Sequence, residues 1–172
     1  QLGFKIRHLG ISYVAGHFNS FSGKADFNEK TGKIGDMNVS IDAASIDTSH
    51  QKRDEHLRAP DFFDVKKFPK ITYTAKKFSY EKGKPTKIHG TLTMHGVTKP
   101  LELAVTEWGG TVDDPWGNRR AAFSASGKID RRDFGLTWND ILKKGAGLMI
   151  GNEVKLMLEI EAIRGETKIS KK

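Results

Sequence analysis

Apolar and polar residues alternate with a period of two along much of the chain. The alternation is clear over residues 37–43, 71–76, 88–95, 121–129 and 154–161. Because successive side chains of a strand point to opposite faces, each run predicts a β-strand with one apolar and one largely polar face. This combination is typical of antiparallel sheets, which bury one face and leave the other in water.

Turn-forming residues separate these runs at 30–33, 82–85 and 113–118. Gly, Pro, Asn and Asp favour tight chain reversals there. An open sheet of roughly eight such strands would leave its edges exposed. We therefore predict an all-β fold, an extended eight-stranded antiparallel β-barrel.

Two segments depart from the alternation and predict short helices near one end of the barrel. Residues 51–58 follow Asp47-Thr48-Ser49 and stop before Pro60, which predicts an N-capped helix. Residues 133–144, which precede Gly145, predict a second helical stretch.

We find no internal repeat or low-complexity linker in the sequence. The prediction is one domain over residues 1–165, followed by a basic C-terminal tail over 166–172.

The composition excludes several classes of protein. The chain has 172 residues, 29 Lys+Arg, 21 Asp+Glu, a net charge of +8 and a mean hydropathy of -0.52. No apolar run approaches the ~20 residues that a membrane-spanning helix needs. The lack of cysteine excludes a disulfide framework, a zinc finger, an iron–sulfur cluster and a thiol nucleophile.

The positive charge suggests nucleic acid as one partner, but the aromatic residues occupy apolar strand faces and the lysines concentrate at turns and in the tail. A nucleic-acid surface would bring the two together, so we expect no nucleic-acid partner. Transient contact with an anionic membrane surface is the better supported alternative. The sequence leaves open whether two chains form a homodimer.

The sequence contains little evidence of known enzyme motifs. Neither G-x-S-x-G nor G-x-x-x-x-G-K-[ST] occurs, and Asp133-Phe134-Gly135 alone predicts a turn with a buried Phe. His89 and His95 are too far apart on one strand to bind the same metal. We expect no catalytic residue, no metal and no cofactor.

The barrel interior is the candidate binding site. A barrel of about eight strands has room for packed side chains or for one small ligand, and a pocket walled by these apolar faces would select an apolar chain by volume. A solid core is the alternative. The polar segment 53–58, followed by two aromatic residues, is predicted at the mouth. The predicted ligand-binding residues are Phe18, Phe21, Phe27, Ile41, Arg53, His56, Leu57, Phe62, Phe63, Ile71, Tyr73, Leu92, Met94, Phe123, Phe134 and Trp138.

An ordered set of short motifs resembles the YceI-like family over residues 4–164. The motifs are Val39-Ser40-Ile41-Asp42, Arg53-Asp54-Glu55-His56-Leu57-Arg58, Asp61-Phe62-Phe63-Asp64-Val65, Phe68-Pro69-Lys70-Ile71-Thr72, Gly90-Thr91-Leu92-Thr93, Gly96-Val97-Thr98-Lys99-Pro100, Asp114-Pro115-Trp116-Gly117, Asp133-Phe134-Gly135 with Trp138-Asn139, and Gly151-Asn152-Glu153-Val154.

This resemblance implies a lipocalin-like barrel that binds, stores or transports a long-chain amphiphile without catalysis. The ligand would be a polyisoprenoid, an isoprenoid quinone or a fatty-acid derivative. The resemblance also implies a periplasmic or secreted protein. The chain begins at Gln1, which we interpret as a processed or trimmed start.

Two other hypotheses stay open. One is an enzyme acting on an isoprenoid-type substrate, with His56 or Asp54 as the proton-transfer group. The other is a stress-response interaction module whose cavity is incidental.

Overall fold

Ten antiparallel strands form one sheet in the computed structural model, which describes residues 1–28, 30–140 and 148–165. The strands are β1 (Leu2–His8), β2 (Ser12–Phe18), β3 (Phe21–Asn28), β4 (Lys33–Asp42), β5 (Ile46–Asp47), β6 (Lys70–Glu81), β7 (Lys84–Met94), β8 (Val97–Asp113), β9 (Arg119–Asp130) and β10 (Ile150–Ile163). Helix α1 spans Gln51–Arg58. The strand order is β3-β4-β6-β7-β8-β9-β10-β1-β2-β5.

The sheet curls into a half-barrel with its apolar face on the concave side. The all-β, antiparallel, lipocalin-like prediction is confirmed, although the strand number is ten rather than eight. Strand β5 has two residues, too few for alternation to reveal it. The β1–β2 reversal is also inconspicuous in the sequence, because it uses positive φ at Leu9 as well as at Gly10.

The sheet is not closed by hydrogen bonds, because β3 and β5 form its two ends. The link Asn19-Ser20 joins β2 directly to β3 and is held by Ser45. The Asn19 N–H donates to the Ser45 carbonyl at 3.0 Å, and the Ser20 N–H donates to Ser45 Oγ at 3.0 Å. We call the gap between the edge strands β3 and β5 the seam. These hydrogen bonds therefore hold one end of the seam together.

Helix α1 has the predicted bounds, and its cap is His50. The Arg53 N–H donates to His50 Nδ1 at 3.3 Å, as an N-cap side chain requires. In the first turn, buried Asp54 accepts hydrogen bonds from the Thr48 N–H at 3.0 Å and the Thr48 hydroxyl at 2.5 Å. These bonds fix the path of the chain that enters the helix.

The second predicted helix, over residues 133–144, is shorter than expected. A 3-10 helix spans Arg131–Phe134, and Gly135 ends it with a φ of 78°. Residues 135–140 are not helical, because the left-handed conformation at Gly135 turns the chain away after one turn. Residues 141–144 and the predicted tail lie outside the described residues.

The core fills the concave face beneath β4, β6, β7 and β8. Tyr73 is buried there, and its single hydroxyl proton is shared between the Leu101 carbonyl at 3.1 Å and the Ile88 carbonyl at 3.3 Å. Its ring lies against Gly90, where a Cβ atom would sit 2.5 Å from Tyr73 Cζ. Glycine is thus required at this position. None of the described helices has the length and apolar character to cross a membrane.

Candidate functional site

A cavity of about 430 Å³ occupies the concave side of the sheet. Its volume falls within the roughly 300–1,000 Å³ of small-molecule sites. The lining residues are Leu2, Gly3, Phe4, Ile6, His8, Val14, Phe18, Met37, Val39, Ile41, Ile46, Thr48, Lys52, Arg53, His56, Leu57, Phe62, Phe63, Ile71, Tyr73, Ile88, Leu92, Met94, Leu101, Leu103, Phe123, Ile129, Arg131, Leu136, Trp138, Met149, Ile150, Val154, Leu156, Leu158 and Ile160.

The apolar character of the cavity wall follows from the alternation of apolar and polar residues along the strands. On β10, Val154, Leu156, Leu158 and Ile160 all reach the cavity, while the intervening residues do not. Strands β1, β4 and β7 contribute alternate residues in the same way. The wall is therefore apolar, as a hydrocarbon chain requires.

An aromatic cluster at the cavity joins helix α1 to the segments that follow α1 and β9. The ring centroids of His56 and Trp138 lie 5.0 Å apart, those of His56 and Phe62 also 5.0 Å, and those of Phe62 and Trp138 5.2 Å. His56 Nε2 lies 3.2 Å from Asp61 Oδ2. Trp138, which is distant in sequence from His56 and Phe62, is thus packed with them into one part of the lining.

Thr48 and Arg53 form a polar part of the lining. Arg53 donates from Nε to Thr48 Oγ1 and from Nη2 to the Thr48 carbonyl, both at 2.7 Å. Lys52, His8 and His56 also line the cavity. Among the described residues that line it there is no Asp or Glu, so the side chains of the wall that can carry a charge near neutral pH are basic.

Arg131 is the most unusual residue of the lining, because it is a charged side chain only 4% exposed. Its Nε donates to the Gly151 carbonyl at 2.9 Å, and Nη1 donates to the carbonyls of Leu136 at 2.5 Å and Trp138 at 2.8 Å. Nη2 is buried and has no hydrogen-bond partner among the described residues. Burial lowers the pKa of Arg131 while Asp130 opposes the shift, but arginine stays charged at neutral pH.

Most of the predicted site residues line the cavity. They are Phe18, Ile41, Arg53, His56, Leu57, Phe62, Phe63, Ile71, Tyr73, Leu92, Met94, Phe123 and Trp138. Their role in binding a ligand stays a prediction.

Phe21, Phe27 and Phe134 do not belong to the lining. Phe21 and Phe27 pair with Ile41 and Ile34, but β3 is an end strand and leaves the two rings 42% and 38% exposed. Phe134 is buried in the core at the 3-10 helix.

Sequence reasoning missed Arg131, although a signal for it was present. Ile129 lies on the apolar face of β9, so a period of two places residue 131 on the same face. An arginine at an inward position is rare unless it has a specific partner.

The groups proposed for catalysis or metal binding lie in different surroundings. His56 lines the cavity, whereas Asp54 lies outside the lining and is bonded to Thr48. His89 contacts Ser79 and Glu102, and His95 contacts the Phe134 carbonyl. Across the described parts of the chain, no group of three or more His, Cys, Asp or Glu could hold a metal ion.

A curled antiparallel sheet around an apolar cavity defines a lipocalin-like class of protein. Within it, the chain belongs to the YceI-like family, because the family model described as "YceI-like domain" matches residues 1–162. The resemblance found in the sequence is thereby confirmed.

Individual relatives agree with this assignment. The chain is 40% identical to "Protein YceI" of Salmonella arizonae over 163 residues, which cover 95% of this chain and 81% of that protein. The crystal structure of the Campylobacter jejuni YceI protein is 35% identical, with a TM-score of 0.77 and coverage of 94% and 91% of the two chains. A polyisoprenoid binding domain from Saccharophagus degradans, implicated in plant cell wall breakdown, shares the fold at 16% identity with a TM-score of 0.62, over 93% of this chain and 91% of that one.

Proposed function

We propose that this protein binds a long-chain amphiphilic lipid in the cavity, for storage or transport and without catalysis. The observation that carries the proposal is the apolar wall, to which strands on both sides of the half-barrel contribute alternate residues. The ligand class is a polyisoprenoid, an isoprenoid quinone or a fatty-acid derivative. The name of the Saccharophagus degradans domain, which shares the fold, supports an isoprenoid.

Burial of the chain alone would supply enough free energy for binding. Each methylene that leaves water contributes about 0.8 kcal/mol, so ten of them contribute about 8 kcal/mol before the cost of ordering. The affinity would therefore depend on chain length more than on any single hydrogen bond.

Native mass spectrometry of freshly purified protein tests the proposal, followed by organic extraction of any bound molecule. We expect an adduct with the mass of a long-chain lipid, or its appearance after incubation with quinones, polyprenols and fatty acids. Phe123→Glu places a carboxylate in the apolar wall and should remove the adduct. An unliganded mass that persists after all incubations would refute the proposal.

A second candidate function is proton transfer on an isoprenoid-type substrate. The contact between His56 Nε2 and Asp61 beside the cavity favours this candidate, because a carboxylate can orient an imidazole. Incubation with polyprenols should then yield a product of altered mass, which His56→Gln abolishes while binding persists. Recovery of unchanged lipid would exclude it.

We further propose a periplasmic or secreted location, which the family resemblance supports. Fractionation of the native host tests it, and recovery of the protein with cytoplasmic markers would overturn it.

A further inference from the structure

We propose that Arg131 anchors the ligand by an anionic oxygen head group, a carboxylate or a phosphate. This inference rests on the proposed function and adds the chemical class of the head group. It assigns a binding role to a residue that sequence reasoning did not select.

The hydrogen bonds of Arg131 leave part of its guanidinium unused. Nε and Nη1 donate to the carbonyls of Gly151, Leu136 and Trp138. The N–H groups of Nη2 are buried and have no partner among the described residues. A buried donor without an acceptor is costly, so a ligand oxygen at this place would stabilise the protein as well as be held by it.

The charge of Arg131 is offset only in part, by the neighbouring Asp130. Its hydrogen-bond acceptors are neutral carbonyls, and no salt bridge to it occurs among the described residues. The neighbouring Asp130 is already occupied by Arg132, whose Nη2 and Nε donate to its carboxylate at 2.6 Å and 3.0 Å. A buried cation needs an opposite charge nearby, which an anionic head group would supply.

The surroundings of Arg131 favour an anion over a cation. Through the Trp138 carbonyl, Arg131 is connected to the aromatic cluster of His56, Phe62 and Trp138. The other ionisable lining residues include Lys52 and Arg53, and the described lining holds no carboxylate that would repel an anion. A guanidinium also matches the geometry of carboxylate and phosphate oxygens.

The test compares probes that share one alkyl chain and differ in the head group. The probes are hexadecanoate, hexadecyl phosphate, hexadecan-1-ol and hexadecyltrimethylammonium, titrated into the full chain by calorimetry below their micelle concentrations. We expect the better of the two anions to bind at least about tenfold more tightly than the alcohol, since a hydrogen bond to a charged group is worth about 1.5–3 kcal/mol. The ratio of the affinities for hexadecanoate and hexadecyl phosphate decides which anion the site prefers.

Two variants link the preference to Arg131. Arg131→Met should reduce the ratio of anion to alcohol affinity to near unity while the alcohol still binds. Lys128→Met removes the same charge from an exposed side chain that pairs with Glu153, and it should keep the preference. Because Arg131 also holds three carbonyls, the wild-type ratio alone tests the inference if Arg131→Met does not fold: a wild-type ratio near unity overturns the inference.

The outcomes separate this inference from the proposed function. Equal binding of anion and alcohol, or tighter binding of the ammonium, overturns the role of Arg131 but leaves lipid binding intact. Preference for the anion that survives in folded Arg131→Met also overturns it. Failure of all four probes to bind refutes the proposed function and this inference together.

Discussion

The buried phenol of Tyr73 makes the stability of the protein sensitive to alkaline pH. Burial, with a smaller contribution from Glu102, raises the pKa of Tyr73 to about 12 from its ordinary 10.0. Between these two values the unfolded chain loses the phenol proton while the folded protein keeps it. The contribution of Tyr73 is therefore complete below pH 10 and declines as the pH rises toward 12.

The size of the effect follows from the shift. One pKa unit corresponds to 1.36 kcal/mol, so ionisation of the unfolded chain should lower the free energy of unfolding by about 1.4 kcal/mol at pH 11. Tyr73→Phe lacks this loss, but it also lacks the bonds to the Ile88 and Leu101 carbonyls. The phenol has one proton, which the two carbonyls share, so the variant loses one shared hydrogen bond and leaves buried acceptors without it; it should be about 1–2 kcal/mol less stable at pH 8.

The assay is urea unfolding of wild type and Tyr73→Phe at pH 8, 10 and 11, followed by circular dichroism. We expect the stability difference to narrow by about 1.4 kcal/mol between pH 8 and pH 11. Lysine titration affects both proteins and cancels in the difference. Tyr13→Phe is the control, because Tyr13 is exposed and its hydrogen bond from Lys155 lowers its pKa instead. If the difference in the free energy of unfolding between wild type and Tyr73→Phe stays constant with pH, the raised pKa of Tyr73 is refuted.

Three further predictions concern the wall, the core and a turn. Phe123→Glu should weaken hexadecanoate binding at least about 100-fold. Ser126→Glu, on the other face of the same strand, should change the affinity by no more than about twofold. Equal effects of the two substitutions would contradict the assignment of Phe123 to the cavity face. Gly90→Ala should lower the free energy of unfolding by about 1–3 kcal/mol in urea titration, because a Cβ at residue 90 meets Tyr73, and an unchanged midpoint would contradict this contact. Hydrogen bonds from neighbouring groups, including Asn118, lower the pKa of Asp114, although burial acts in the opposite direction. Wild type should therefore lose its stability advantage over Asp114→Asn as the pH falls below 3.8, the ordinary pKa of the group. A stability advantage that is independent of pH would contradict the lowered pKa.

The sequence predicted those elements whose local pattern is unbroken. Strands β4, β6, β7, β9 and β10 carry a regular period of two over the predicted runs, although the pairing of β6 with β7 shifts beyond Ala75, and apolar residues of these runs line the cavity. The bounds of α1 were predictable because Pro60 limits its C-terminal end, but the predicted cap was wrong: His50, not a residue of Asp47-Thr48-Ser49, caps the helix. Strand β8 was harder to interpret, because its pairing with β9 shifts between Val105 and Glu107 and again between Trp108 and Gly110. Each shift resets the alternation.

The residues that depart from the predicted lining do so for separate reasons. Alternation assigns a residue to a face of the sheet, but it does not say which strand lies at the end of the sheet. Phe21 and Phe27 have the expected cross-strand partners and are still half-exposed, because β3 is an end strand. Arg131 was missed for a different reason: it begins the 3-10 helix just after β9, and its partners are the carbonyls of Gly151, Leu136 and Trp138, which no local pattern reveals.

The open ends of the sheet at β3 and β5 distinguish this protein from a closed barrel. A closed barrel has a diameter set by its strand number and stagger, and it cannot widen without breaking a ladder. Here the link Asn19-Ser20 acts as a clasp at one end of the seam, through Ser45. Away from that clasp, no ladder among the described residues joins the two ends of the sheet. If the protein binds lipids as we propose, we therefore expect it to accept lipids of different thickness without the loss of a ladder hydrogen bond.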